Sequence, residues 1–171
     1  DIVLGSMNAR IVRPGDPAQG LHSDIPHVHR RVIGAPVMLQ AVWMLDGFTV
    51  DKGATMIVPG SHRHADSYPP AGMAVPHAVQ PTGPAGSVMV FHGSLWHGGG
   101  ANTTADEWRC GVNVQYCPGF VRQQQNPYLG IPREVAARLP DRVLGLLGYR
   151  LYKGIMGHVD GRSPGEVAFG E

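Results

Sequence analysis

The stretch Leu21-His22-Ser23-Asp24, together with Leu95-Trp96-His97-Gly98-Gly99-Gly100 farther downstream, is the part of the sequence around which the rest is organised. Side chains alternate between the two faces of an extended segment, so His22 and Asp24 point to the same side. There they can offer an imidazole nitrogen and a carboxylate oxygen to one cation. His-x-Asp alone is a weak signal, because an exposed histidine and aspartate are usually solvated surface residues. A third ligand must therefore come from elsewhere.

Two histidines and one carboxylate on one side of a metal form the donor set of non-haem Fe(II) sites, which leaves further positions open. His97 and His92 compete for the place of the second histidine, since His92 directly follows an apolar run. His62 lies in a Pro-Gly-Ser-His turn and is predicted to be structural. The other histidines are predicted to be surface or loop residues: His27, His29, His64, His77 and His158.

Short apolar runs bounded by glycine and proline predict an all-β barrel or sandwich. The predicted strands are Asn8–Val12, Val37–Leu45, Thr55–Val58, Ser87–Phe91 and Gly111–Tyr116. The run 37–45 is nearly all apolar, which is typical of a strand buried on both faces. A long polar loop over 63–86, rich in proline, is a candidate lid for a site.

After residue 118 the pattern changes from strands to helices. Pro132–Leu139 and Asp141–Leu147 are predicted to be short helices, the first with proline in its first turn and the second with aspartate at its start. The tail from Gly154 to Glu171 is predicted to be irregular.

Length and charge limit the possible classes of function. The 171 residues predict a single domain over 1–171. Lys+Arg 14 against Asp+Glu 13 gives no charge excess that would draw the chain to nucleic acid or an anionic membrane. We therefore expect a small-molecule substrate, no nucleic-acid or membrane partner and, with no signal peptide in view, a cytoplasmic protein.

Cys110 and Cys117 lie on opposite faces of one predicted strand, which predicts free thiols. The oligomeric state stays open.

Arg109 opens the last predicted strand, and alternation along that strand assigns it a face. Arg109, Gly111, Asn113 and Gln115 share one side, so a polar set would line the barrel interior. A planar guanidinium offers a fork of donors that matches a carboxylate. A buried arginine at this position would therefore need an anion to pair with it.

These residues occur in an order that resembles the phytanoyl-CoA dioxygenase family of Fe(II)- and 2-oxoglutarate-dependent oxygenases. The resemblance spans Gln19 to Gln115 and rests on Leu21–Asp24, Trp43–Asp46, Gly53–Arg63, Trp96–Thr104 and Arg109. It implies a double-stranded β-helix, or jelly roll, with a few peripheral helices. It also implies that N-terminal elements of a full-length member are absent from this chain.

The resemblance implies a role for each site residue. His22, Asp24 and His97 would hold iron, with His97 preferred over His92 because the glycine run and Asn102 that follow it match the family. Arg109 would pair with the far carboxylate of 2-oxoglutarate. Asn102 and Trp43 would contribute to the co-substrate and substrate pocket, although Trp43 taken alone is typical of a core residue.

The activity implied is hydroxylation of a small molecule by dioxygen, with 2-oxoglutarate converted to succinate and CO2. Two alternatives stay open at this point. One is a jelly-roll module that binds a metabolite or sugar, in which the histidines are incidental. The other is a cupin-type metalloenzyme that does not use 2-oxoglutarate and would not need Arg109 on the polar face.

Overall fold

The structure is a computed structural model, and it describes residues 1–25, 36–66, 68–71, 75 and 77–170. Two of the histidines predicted to lie at the surface, His27 and His29, fall outside the described residues. The same holds for a few positions of the long loop. All residues of the proposed site lie within the described ranges.

The described chain is rich in strands and carries only short helices. The strands are β1 (Ile2–Val12), β2 (Leu39–Met44), β3 (Thr55–Ile57), β4 (Val88–His92), β5 (His97–Gly99) and β6 (Arg109–Pro118). The helices are α1 (Pro127–Gly130), α2 (Arg133–Ala136), α3 (Asp141–Leu147) and α4 (Pro164–Phe169), with a 3-10 turn at Ser61–Arg63.

The strands form two sheets. A four-stranded sheet has the order β1-β6-β2-β4, and a two-stranded sheet pairs β3 with β5. The strands β2 and β4 are antiparallel with Gln40 opposite Phe91, and β3 and β5 are antiparallel with Ile57 opposite His97. This sheet-rich architecture with a few short helices agrees with the predicted jelly roll.

Each predicted strand is present, with shifted ends. The largest difference is at β1, which begins at Ile2 rather than at Asn8. The predicted irregular tail is wrong in part, because α4 occupies Pro164–Phe169. Ser163 accepts a hydrogen bond from the Glu166 backbone, and the Glu166 side chain accepts one from the Ser163 backbone. This capping box satisfies donors at the helix start and so stabilises the helix.

Clustering of contacts divides the chain into two compact units, of which Asn8–Val114 is one. Its core is formed by buried side chains that include Val42, Met44, Phe48, Ala54, Phe91 and Leu95. Alternation along β2 sends Gln40, Val42 and Met44 to this buried side and Leu39 and Trp43 to the other. Burial of residues 37–45 on both faces is therefore wrong in part, since Leu39 and Trp43 are exposed on that other face while Ala41 between them is buried.

The second unit comprises Asp1–Met7 and Gln115–Glu171. Its core contains Ala136, Leu144, Leu147 and Tyr149. Gln123 Nε2 donates to the Leu4 carbonyl at 2.7 Å, and the Tyr128 hydroxyl donates to the Gly148 carbonyl at 2.6 Å. The division into two compact units does not test whether residues 1–171 form a single domain, and the single domain therefore stays a prediction.

Two further expectations concern the thiols and the membrane. Cys110 and Cys117 are both free, as predicted, and burial raises the pKa of the Cys117 thiol. Within the described part of the chain, no helix combines the length and apolar character needed to cross a membrane.

Candidate metal centre

A pair of backbone hydrogen bonds joins the two segments that carry the predicted ligands. The His22 N–H donates to the His97 carbonyl at 2.9 Å, and the His97 N–H donates to the His22 carbonyl at 2.8 Å. The Asp24 N–H donates to the Gly93 carbonyl at 3.2 Å. The segment around His22 thus lies as a short antiparallel bridge against β5, so residues far apart in the sequence become neighbours.

The three predicted ligands converge at one point. His22 Nε2 lies 3.7 Å from Asp24 Oδ1, and His97 Nε2 lies 3.5 Å from Asp24 Oδ2. One ligand atom from each residue falls within 4.8 Å of the other two, and among the described residues this is the only such group of three. The two imidazole rings are 4.7 Å apart at their centroids.

Backbone carbonyls fix which ring nitrogen of each histidine faces the carboxylate. Nδ1 of His22 lies 2.8 Å from the Gly20 carbonyl, and Nδ1 of His97 lies 3.0 Å from the Leu95 carbonyl. A carbonyl accepts only from an N–H, so Nδ1 carries the proton in a neutral ring and the Nε2 lone pair is available. Burial lowers the pKa of His97 and favours that neutral ring, while the nearby Asp24 charge acts in the opposite direction.

This donor set fits a divalent transition metal. Two Nε2 lone pairs and one carboxylate oxygen converge from one side, and carbonyl groups that orient the imidazoles are the usual support of metal-binding histidines. His92 lies outside the group. Its Nδ1 accepts a hydrogen bond from the Ser94 N–H at 3.0 Å, and its ring contacts the His62 ring.

The glycines after His97 are required by close backbone approach. A Cβ on Gly98 would lie 2.8 Å from the Gln19 carbonyl oxygen, and a Cβ on Gly100 would lie 2.7 Å from that of Ala54. Real Cβ atoms do not occur at such distances from backbone atoms. The glycine run therefore allows β5 to pack between β3 and the segment that carries His22.

Arg109 is buried, with 2% of its surface exposed, and its Nε has no hydrogen-bond partner. A Cβ added to Gly99 would lie 3.6 Å from Arg109 Nη2. Gly99 and His97 are two residues apart on β5 and so share a face, which puts the guanidinium on the side of the metal ligands. Burial lowers the pKa of Arg109, repulsion from Arg10 adds to this, and Asp46 opposes both.

The Asn102 side chain, predicted to bind the co-substrate, is hydrogen-bonded within the protein. Its Nδ2 donates to the carbonyls of Glu107 at 2.7 Å and Val12 at 3.4 Å. Its Oδ1 accepts from the backbone N–H of Thr104 at 3.0 Å and from the Thr104 hydroxyl at 2.6 Å. These bonds engage both ends of the amide within the protein and shape the turn that leads to β6. Binding of the co-substrate by Asn102 stays a prediction.

Replacing Asn102 with leucine should therefore lower stability more than it lowers ligand binding. The change removes the amide donor to the Glu107 and Val12 carbonyls and the acceptor of the Thr104 N–H. We expect the free energy of unfolding to fall by about 1–3 kcal/mol, measured by urea unfolding. A variant of unchanged stability that no longer binds 2-oxoglutarate would show that the amide contacts the ligand after all.

Trp43 differs in exposure from the residues on either side of it in β2. It is 45% exposed and lies on the face of β2 opposite to Val42, where it pairs across the sheet with Val88. It is therefore not the core residue that its apolar surroundings indicate, and its role at the substrate pocket stays a prediction. The apolar pattern of β2 gives no sign of which face is covered.

Sequence reasoning missed the contacts that fix the start of the long loop. Trp96 is buried beside His97, and its backbone N–H donates to Ser61 Oγ at 2.7 Å. Its Nε1 donates to the Asp66 carbonyl at 3.0 Å, and its ring stacks on His64. The Pro-Gly-Ser-His turn is the sequence signal, because its serine supplies the acceptor.

The far end of the predicted loop over 63–86 is also bound to the sheet. Val79 and Ile57 exchange two backbone hydrogen bonds of 2.8 Å, and Gln80 Nε2 donates to the Ala54 carbonyl at 2.8 Å. Both contacts are made to β3 or to the residue before it, and β3 pairs with the strand of His97. For the part of the loop between Asp66 and Val79, the role of a lid remains a prediction.

A jelly-roll fold with two histidines and one aspartate around a common point is an arrangement known from non-haem iron oxygenases. A sequence model of the family described as phytanoyl-CoA dioxygenase matches residues 3–111. The chain therefore belongs to the phytanoyl-CoA dioxygenase family, as its sequence indicated.

Relatives and solved structures agree with this assignment. The chain is 33% identical to "Dioxygenase swnH1" of Metarhizium robertsii over 97% of its own length and 55% of that protein. The chain thus spans about half the length of the curated relatives it matches. Iron-bound EctD from S. alaskensis superimposes with a TM-score of 0.57 at 25% identity, covering 68% of this chain and 45% of EctD. A nickel complex of the non-heme monooxygenase ThoJ gives 0.57 at 21% identity over 74% of this chain and 48% of its own. These neighbours confirm the fold.

Proposed function

We propose that the protein is an Fe(II)- and 2-oxoglutarate-dependent dioxygenase that hydroxylates a small molecule. The observation that carries the proposal is a pair of sites on one side of β5. His22, Asp24 and His97 converge at one, and the buried guanidinium of Arg109, with Nε unpartnered, lies at the other. A metal site and an anion site so close together suit a co-substrate that chelates at one end and is a carboxylate at the other.

In this proposal Nε2 of both histidines and the Asp24 carboxylate hold iron from one side. Bound iron would supply the activation of dioxygen and the oxidation of the substrate, coupled to the conversion of 2-oxoglutarate to succinate and CO2. The carbonyls of Gly20 and Leu95 keep the two imidazoles in the orientation that ligation needs.

Arg109 would bind the far carboxylate of 2-oxoglutarate. Its fork of N–H groups can donate two parallel hydrogen bonds to a carboxylate, and charge-assisted bonds of this kind are stronger than neutral ones. Burial removes competing water and so increases the attraction. EctD from S. alaskensis has been solved with 2-oxoglutarate and 5-hydroxyectoine, and its fold similarity supports a co-substrate of this kind here.

Apolar residues cover one side of the metal ligands and would limit access of water to them. The Phe91 ring lies 4.9 Å from the His97 ring at the centroids, and both Leu95 and Trp96 are buried. Exclusion of water by apolar side chains prevents side reactions at a reactive centre. The substrate would therefore approach from a different side.

The proposal is tested with protein loaded with Fe(II) under argon, then mixed with oxygenated 2-oxoglutarate and a panel of candidate substrates. Succinate should form, faster when the correct substrate is present. A protein that binds iron but forms no succinate under any condition would favour the cupin-type enzyme without 2-oxoglutarate. A protein without specific iron binding would favour the metabolite-binding module. A cytoplasmic location is part of the proposal and is supported by the two free thiols.

A further inference from the structure

Phe48 lies directly against the guanidinium of Arg109. The Arg109 Cζ is 4.5 Å from the centre of the Phe48 ring. At this distance the negative face of an aromatic ring attracts a cation, more strongly when water is excluded. Phe48 is 1% exposed and Arg109 is 2% exposed, so the contact is shielded from solvent.

The ring of Phe48 is held in place from two directions. Its backbone N–H donates to the Gly83 carbonyl at 2.9 Å, and its carbonyl accepts from the Gly83 N–H at 3.1 Å. Its side chain belongs to the core that contains Val42 and Leu95. The ring is therefore a fixed surface against which the flexible arginine rests.

Gly111 makes room for this ring. A Cβ at position 111 would lie 2.8 Å from Phe48 Cζ and 3.0 Å from the Trp43 carbonyl oxygen. Gly111 and Arg109 are two residues apart on β6 and share a face, so the ring occupies the space that a side chain would fill next to the arginine. The spacing Arg-x-Gly in β6 and the phenylalanine after β2 thus form one arrangement.

An aromatic ring suits this position better than an acid would. A carboxylate against Arg109 would accept its N–H groups and cancel its charge, whereas the uncharged ring face beside Arg109 Cζ leaves those donors available to a ligand. Nε indeed has no partner, and Nη2 lies at the edge nearest Gly99. We infer that Phe48 is a positioning residue that fixes the plane of the Arg109 guanidinium, so that its donor edge stays available to the carboxylate of 2-oxoglutarate. The inference rests on the proposed function.

Phe48→Leu should weaken 2-oxoglutarate binding roughly threefold to thirtyfold, the range expected for loss of a shielded cation–π contact. The measurement is titration of the Fe(II) protein with 2-oxoglutarate under argon, followed by the charge-transfer absorbance. Iron affinity, measured separately, should not change. Val42→Ala serves as the control. It removes side-chain volume from the same core, but at a residue of β2 that lies opposite Met89 of β4. It should leave 2-oxoglutarate affinity unchanged.

A double-mutant cycle separates positioning from general damage to the core. In an Arg109→Ala background, Phe48→Leu should change 2-oxoglutarate affinity less than about twofold, because its effect passes through the arginine. Equal weakening in both backgrounds, or no weakening in either, would overturn the inference. Should Phe48→Leu fail to fold, 3,5-difluorophenylalanine at position 48 decides. It keeps the ring but makes its face less negative, and unchanged affinity would overturn the inference.

The two proposals fail in different ways. If the wild-type Fe(II) protein does not bind 2-oxoglutarate at all, the proposed function is wrong. If wild type binds it and Arg109→Ala weakens the binding, but Phe48→Leu has no effect, only the positioning role is wrong.

Discussion

Replacing His97 with alanine should weaken Fe(II) binding by more than about 100-fold and reduce succinate formation to background. Loss of a residue that only supports a metal ligand costs about 10–100-fold in affinity or activity, and loss of a ligand should cost more. In His97→Ala only His22 and Asp24 remain of the convergent group. The measurement is iron titration under argon, followed by the turnover assay.

His92→Ala is the matched control, since it removes an imidazole from a neighbouring position outside the group of ligands. We expect His92→Ala to bind iron and turn over 2-oxoglutarate. Retained iron and activity in His97→Ala, together with their loss in His92→Ala, would contradict the assignment. Thermal unfolding of both variants shows whether either change acts through the fold.

The local part of the site was predictable from the sequence, but its assembly was not. Alternation in an extended segment puts His22 and Asp24 on one side, and in the structure Nε2 and Oδ1 are 3.7 Å apart. No local pattern connects them with His97, because backbone bonds between distant segments bring it there. Only the order of motifs, seen in the family resemblance, distinguished His97 from His92.

The burial of Arg109 followed from alternation in β6, which predicted its face. Val114 lies on the opposite face of β6 and is also buried, so the strand is covered on both faces at this position. A strand covered on both sides shows weak alternation in burial, so alternation there identifies a shared face but not an exposed one.

The wrong predictions have different physical origins. Trp43 is exposed, and the sequence did not predict this because hydrophobicity alone does not show which face of β2 is covered. The helix at Pro164–Phe169 had a readable signal, Ser163 followed three residues later by Glu166, within a stretch whose glycines and prolines favoured a loop. The hydrogen bonds of Asn102 with Glu107 and Thr104 could not be predicted from its position in a motif, because only the folded turn provides them.

Arg109→Ala should raise the concentration of 2-oxoglutarate needed for half saturation at least tenfold and leave iron affinity nearly unchanged. Losing one partner of a desolvated charge pair costs about 2–5 kcal/mol, and each 1.4 kcal/mol is about tenfold in affinity. Arg109 is the buried cation beside β5, and it does not belong to the group of metal ligands. The measurement is anaerobic titration of the Fe(II) protein with 2-oxoglutarate, followed by the charge-transfer absorbance.

Two further variants show whether the fork of donors or only the charge is needed. Arg109→Lys should restore binding partly, because an ammonium keeps the charge but not the planar fork. Arg10→Ala is the matched control, since the Arg10 charge lies close enough to disfavour the Arg109 cation while its own side chain is exposed. Its removal should leave 2-oxoglutarate affinity nearly unchanged. If wild type and Arg109→Ala titrate alike, another residue binds the far carboxylate, and the buried guanidinium over Phe48 serves only the fold.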